Sequence, residues 1–203
     1  PRARGDRPEG LTKNFDLPAY IDAFDEDEEL AFKKAFQALL NTAGHESLDL
    51  GGRLIGVRAP IDMQAALANR TFFNQRRVIR NGQFSIFSGP AWDTEIVTSQ
   101  ARYSPNDAKR LTGVANVANV PVGALVEGNG VGREVYVRAK NPATQSLELS
   151  APLYDADGTQ VFTFKRFKYI LDFSGFDDLG RFTLSDIEIQ CSGEGSGILL
   201  PPQ

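Results

Sequence analysis

The chain has 203 residues, 41% of them hydrophobic and 24% charged, a composition suited to a globular protein with a sizeable core. A formal net charge of −4 argues against a general binder of nucleic acid or of anionic membranes, which needs a clustered basic surface. No apolar run approaches the roughly 18 residues of a membrane-crossing helix, and a single cysteine rules out an internal disulfide framework or a cysteine metal cluster. No membrane insertion, nucleic acid, metal or cofactor is therefore expected.

Residues 1–20 are rich in Pro, Arg, Gly and Asp without an apolar period, which predicts an extended arm, a linker or a strap onto a neighbouring subunit. Arg4-Gly5-Asp6 matches an adhesion triplet, but three residues carry little information. The first residue is Pro1 and not Met, from which a processed, trimmed or incomplete chain is expected. A helix is predicted over Asp25 to Asn41, because Phe32, Ala35, Phe36, Leu39 and Leu40 share one helical face. Asp25 to Glu29 crowd its positive end, and Gly44 follows as a stop signal. Consecutive acids fan around a helix, so a solvated N-terminus is preferred to a metal site. His45, the only histidine, sits in a polar turn, and no nucleophile-elbow glycine pattern accompanies it.

Ser47 to Val57 read as two short strands broken by Gly51-Gly52, Ala59 to Met63 as another strand or turn, and residues 64–75 as a polar loop. Arg77 to Ile86 and Arg181 to Gln190 can then be laid on one another. Each has a short apolar pair, a bend at Asn81 or Asp186, and a second strand of alternating polarity. Such a bend turns a chain between the faces of a parallel β-helix. Between them, Val114–Val117, Val122–Val126, Glu134–Ala139, Ser146–Leu149 and Val161–Phe164 predict a small antiparallel barrel or sandwich. The glycines of Gly128 to Gly132 precede a strand, whereas a phosphate loop needs a helix there, so they form a turn. Tyr169 to Phe173 resumes the first pattern, and Cys191 alternates with Ile187 and Ile189 as a core residue would. The predicted fold is mainly β: a right-handed parallel β-helix with an N-terminal capping helix and a small inserted antiparallel β domain. Its parts are an arm (1–20), a capping helix with first coils (21–103), an insertion (104–166) and resumed coils (167–203). The turn and strand at Gly195 to Pro201 predict that the chain continues or that other subunits cover this end.

Glu28 to Phe36, the strand–Gly-Gly–strand of Leu48 to Val57, Pro60-Ile61 and the coils at 77–87 and 181–191 follow an order that resembles the N-terminal end of the pectate-lyase-like β-helix superfamily. In that superfamily the helix caps the first coil. Val122 to Gly132 followed by Gln145 to Ser150 is similar to small β modules of phage structural proteins. The combination resembles tailspikes and head or tail fibres of phages and gene-transfer-like particles. That resemblance implies a homotrimer on a virion surface, other virion structural proteins as partners, and recognition of host cell-surface polysaccharide. The alternative it offers is a polysaccharide lyase or glycoside hydrolase with catalytic coils beyond Gln203.

Glycoside cleavage needs two carboxylates at a defined separation. Asp172, Asp177, Asp178, Asp186 and Glu188 lie close in sequence. Asp186 matches the bend residue Asn81, which suggests a structural role. Asp177 and Asp178, in a loop between coils, are the catalytic candidates, with a solvated turn as the preferred reading. Trp92 and Tyr103 are the candidates for stacking against a sugar, with plugging the junction to the insertion as the preferred reading.

Overall fold

The computed structural model describes residues 15–42 and 44–201. The described residues divide into two compact units, one drawn from 15–88, 169–192 and 197–201, the other from 89–168 and 193–196. With 40% strand against 20% helix it is mainly β.

The first unit begins with helix α1 (Leu17–Ala23), where an extended arm was predicted over 1–20. Asp16 starts it by accepting a bond from the Ala19 amide, and Pro18 suits a first turn that needs no N–H. Residues 1–14 of that predicted arm, with the Arg4-Gly5-Asp6 triplet, lie outside the described residues. Helix α2 (Glu28–Asn41) starts three residues later than predicted. Asp25 and Glu26 take left-handed φ values of 53° and 61° in the preceding turn, and Asp27 caps the helix through the Leu30 amide.

Strands β1 (Ser47–Asp49), β2 (Leu54–Val57) and β3 (Ile61–Asp62) follow. Residues 64–75 are not all loop. Helix α3 (Met63–Leu67), capped by Asp62, buries Met63 and Leu67, and β4 (Phe72–Phe73) comes next. Strand β5 (Arg77–Ile86) closes this stretch. Its two halves receive β1 and β2 side by side in parallel register, Ile79 opposite Leu48 and Phe84 opposite Ile55.

The second unit carries β6 (Glu95–Tyr103), β7 (Arg110–Thr112), β8 (Leu125–Glu127), β9 (Val137–Asn141), β10 (Ser146–Leu149) and β11 (Gly158–Arg166). They form one antiparallel sheet in the order β8-β11-β6-β7-β10-β9. The predicted strand at Val114–Val117 is instead a turn and a short 3-10 helix, Val117–Asn119, entered through the left-handed Gly113. No closed barrel forms. A bridge between Leu125 and Tyr136, flanked by bonds from the Val126 amide to Val135 O (2.8 Å) and from the Val137 amide to Ala124 O (2.9 Å), links the sheet's two ends. Tyr103 anchors the core beneath: its hydroxyl donates to Ala108 O (3.0 Å) and accepts from the Leu153 amide (3.1 Å).

The chain returns to the first unit with β12 (Tyr169–Asp172), β13 (Asp178–Leu179), β14 (Phe182–Gln190) and β15 (Ser196–Leu199). β14 lies parallel to β5, β12 stands between β15 and β3, and β13 pairs with β4. The likeness of the two stretches at 77–86 and 181–190 is thus a direct pairing, with Leu184 opposite Ile79 and Ile189 opposite Phe84.

The resemblance to pectate-lyase-like β-helices and phage tailspikes does not hold. The largest sheet is six-stranded and antiparallel, and the parallel sheets are only two to four strands wide. The sequence signal came from strand pairing with a matched bend, which a pair of adjacent parallel strands satisfies without a long regular stack.

Helix α2 packs on the first sheet, touching β1 and β2 and reaching β5 and β14 through its two phenylalanine rings. Phe32 and Phe36 are fully buried, Phe32 edge-on to Phe84 at 5.0 Å and Phe36 edge-on to Phe182 at 6.2 Å. Arg77 fixes the other end of the helix. Its buried guanidinium donates to Leu39 O (2.8 Å), Arg76 O (2.7 Å) and Gln75 Oε1 (3.1 Å), placing a cation at the negative helix terminus. Among the described residues no helix is long and apolar enough to cross a membrane.

Two variants measure these contacts. Phe36→Ala is expected to lower unfolding free energy by about 3–5 kcal/mol through the cavity it leaves. Tyr103→Phe keeps the ring and leaves the Leu153 amide unpaired, a loss of about 1–3 kcal/mol. Denaturant titration checks both, and a change below about 0.5 kcal/mol in either would contradict the packing described.

Candidate functional site

A cleft of about 640 Å³ opens in the first unit between the start of α2 and the end of the β2–β5 pair, lined by Glu28, Glu29, Lys33, Leu54, Arg58 and Phe87 among others. The register makes it. Val57 lies opposite Ile86, and the Phe87 amide donates to Val57 O (2.9 Å), so the Phe87 side chain emerges beside Gly56. A Cβ at Gly56 would stand 2.2 Å from the Phe87 ring, so the ring occupies the space a side chain there would need. The Arg58 guanidinium stands 5.6 Å from the ring centroid, a cation–π distance. Phe87 still keeps 48% of its surface exposed, and Leu54 45%.

Polar groups rim this apolar patch. Glu29 accepts from Lys33 Nζ (2.6 Å) and from the Arg58 amide (3.3 Å), and Glu28 pairs with Arg53 at 3.4 Å. The acidic start of α2 therefore borders a cleft with an aromatic wall. Such a surface offers a flat apolar ring to a C–H-rich ligand face, with carboxylates and amines placed to meet hydroxyls around it.

The residues singled out in the sequence do not converge on one point. Asp177 and Asp178 tie two segments together. Both their amides donate to Thr71 O (2.8 and 3.3 Å), and the Thr71 hydroxyl donates to the Asp177 carboxylate. Asp178 also sits in β13 opposite Phe72. Asp172 accepts from the Ser174 amide (2.8 Å) and hydroxyl (2.6 Å), a local turn bond. Asp186 stands at the bend of β14 with φ 53°, and Glu188 accepts from Gln190. Trp92 is buried in a short 3-10 helix and Tyr103 in the second unit's core, so neither ring face is open to a ligand. His45 stacks on Phe15 at 5.3 Å beside a second cleft of about 550 Å³ that also holds Asp49, Arg80 and Asn81. Asp49 is fully engaged there, accepting from the Gly51 amide (2.8 Å) and Asn81 Nδ2 (2.9 Å) and pairing with Arg80 at 3.2 Å. Among the described residues no three His, Cys, Asp or Glu side chains converge to hold a metal ion. The Gly128 to Gly132 run is a turn, with Gln160 clasping Asn129 through bonds of 2.8 Å to its amide and its carbonyl.

Phe87 was missed because nothing local marks it: it is one phenylalanine among 14. The signal that would have found it is the Gly56–Phe87 pair, invisible until the strand register is known. No family model matches the sequence, and no curated protein matches it either.

Gly56→Ala is expected to push the Phe87 ring off its seat with about 1–2 kcal/mol of destabilisation at most, because the ring is half-exposed and free to swing. Shifts of the Phe87 ring and Arg58 side-chain resonances, set against the melting temperature, check it. A thiol prediction belongs to the same unit. Cys191 is half-buried, not the core residue predicted, and burial pushes its thiol up from its ordinary value. The thiolate is the reactive form, so at neutral pH it should react with a disulfide reagent more slowly than free cysteine and gain rate only at higher pH. A rate equal to that of free cysteine would contradict this.

Proposed function

We propose that this chain recognises cell-surface polysaccharide, with the Phe87 cleft as its contact. The half-exposed Phe87 ring, seated on Gly56 and rimmed by Glu28, Glu29, Lys33 and Arg58, is the observation that carries the reading. A pyranose presents a C–H face that packs on a flat ring, and equatorial hydroxyls that carboxylates accept from and amines donate to. The cleft's openness suits an internal unit of an extended chain better than a small enclosed ligand. The wider expectation, a trimeric spike on a virion surface, drew on the resemblance that the fold corrects, and the proposal keeps the glycan-recognition half of it.

Binding to a panel of bacterial capsular and lipopolysaccharide-derived glycans tests the reading. Phe87→Ala should weaken any binding at least tenfold while changing unfolding free energy by about 1–2 kcal/mol, since the ring is only partly buried. Tyr154→Ala, an exposed aromatic elsewhere, should leave binding unchanged. No binding to any glycan, or binding that survives Phe87→Ala, would overturn the assignment. Assay of released reducing ends or unsaturated uronates alongside reports on cleavage.

A further inference from the structure

The two long strands of the first parallel sheet differ in one respect. The inward side chains of β5 are fully covered, with Ile79 and Phe84 both at 0% exposure between the strands on either side. Their counterparts on β14, Leu184 and Ile189, are only half-buried, as is Ile187. The neighbouring sheet repeats the difference: Ile170 and Leu171 of β12 are buried, whereas Ile198 and Leu199 of β15 are half-exposed. Among the described residues no strand pairs with the outer edge of β14 or of β15. Within the described residues two adjacent sheets therefore end in apolar edges without a further strand, a surface that proteins ordinarily cover.

The existing ladder specifies what fits. Each strand in this sheet turns at the same level through left-handed residues: Gly51 and Gly52 (φ 68° and 69°), Asn81 (φ 60°) and Asp186 (φ 53°). The contact between the first two layers is charge-matched at that level, with Arg80 and Asn81 of β5 both bound to Asp49 of β1. Along β14 the exposed charged groups are acidic, Asp186 and Glu188, beside the neutral Thr183 and Gln190. A second copy of β14 would bring the same acids against them, and a straight strand would lose register at the bend. We infer that the β14 edge is a strand-addition site for an extended polypeptide that runs parallel to β14, carries Asn or Gly opposite Asp186 with a basic residue beside it, and presents apolar side chains opposite Leu184 and Ile189. Its backbone completes the ladder, and its side chains cover the exposed row. This inference is independent of the glycan cleft, which lies on the β2 side of the same sheet.

The probe is a synthetic peptide with the sequence of residues 77–86, which meets each of these requirements, added to the intact protein. Hydrogen exchange read residue by residue should slow at least tenfold at the alternate β14 amides not directed at β5. A spin label on the peptide's N-terminus should broaden resonances near Phe182 and leave those near Gln190 sharp, as a parallel strand requires. The same peptide with Val in place of its Asn should not protect β14, because a β-branched residue resists the left-handed bend. The inference is overturned by any of four results: no protection at millimolar peptide, broadening at the Gln190 end, equal protection by the Val peptide, or protection of β14 that rises with protein concentration alone, which would make a second copy the occupant.

Discussion

One backbone constraint organises the first unit: its long strands must bend at the same level, through residues that accept positive φ. For an ordinary residue that conformation costs about 1–2 kcal/mol, which glycine avoids and Asn and Asp partly avoid. Gly51-Gly52 and Asn81 meet these terms together. The Gly52 amide donates to Asn81 O (2.8 Å), while Asn81 Nδ2 and the Gly51 amide share Asp49 Oδ1. The corner is thus held by side-chain and main-chain bonds that a straight ladder would not supply. Without it, β5 could not offer one half to β1 and the other to β2, and the end of β5 would not bring Phe87 against Gly56. The cleft is a consequence of the bend.

The corner also explains why α2 matters. A sheet built from short paired pieces has little rigidity, and its inward side chains need a surface to close on. Phe32 and Phe36 provide it against Phe84 of β5 and Phe182 of β14, and Arg77 locks the helix end to the first residue of β5 through Leu39 O. A buried guanidinium is stable only when its donors are matched, and here three acceptors lie within 3.1 Å. Helix, corner and strand register are one coupled arrangement.

Much of this was legible in the sequence because it rests on periodicity and on residue types with narrow roles. The apolar face of α2, the Gly51-Gly52 break and the correspondence of Asn81 with Asp186 all announce themselves locally. What failed was extrapolation from pair to architecture: a matched bend specifies that two strands lie side by side, not how many follow. The second unit was underestimated at its start, because β6 (Glu95–Tyr103) was assigned to the preceding coils, although it pairs along its whole length with β11 more than fifty residues on. Such long-range antiparallel partners leave no trace in a window of ten residues. The surroundings of the candidate residues were illegible for a related reason. Asp177 and Tyr103 have chemistry that suggests function in isolation, but they bond to Thr71 and Leu153, which lie far away in sequence.

Two glycines in the same sheet separate packing from function. Gly82 lacks a Cβ because Leu50 takes its place: a Cβ there would lie 2.5 Å from the Leu50 side chain, which is completely buried. Its absence serves the core, and filling it would disturb an enclosed neighbour. Gly56 makes room for Phe87 instead, and Phe87 remains half in solvent. A glycine inside a strand weakens it by about 0.5–1 kcal/mol relative to alanine, and a half-exposed phenylalanine forgoes roughly a kcal/mol of the transfer free energy that full burial would give. Neither choice favours folding, yet they occur together and each makes sense only in terms of the other. A local departure from the most stable sequence, with no gain to the core, is where a binding surface is expected. That distinction is the physical ground on which the proposed glycan contact rests at the Phe87 ring.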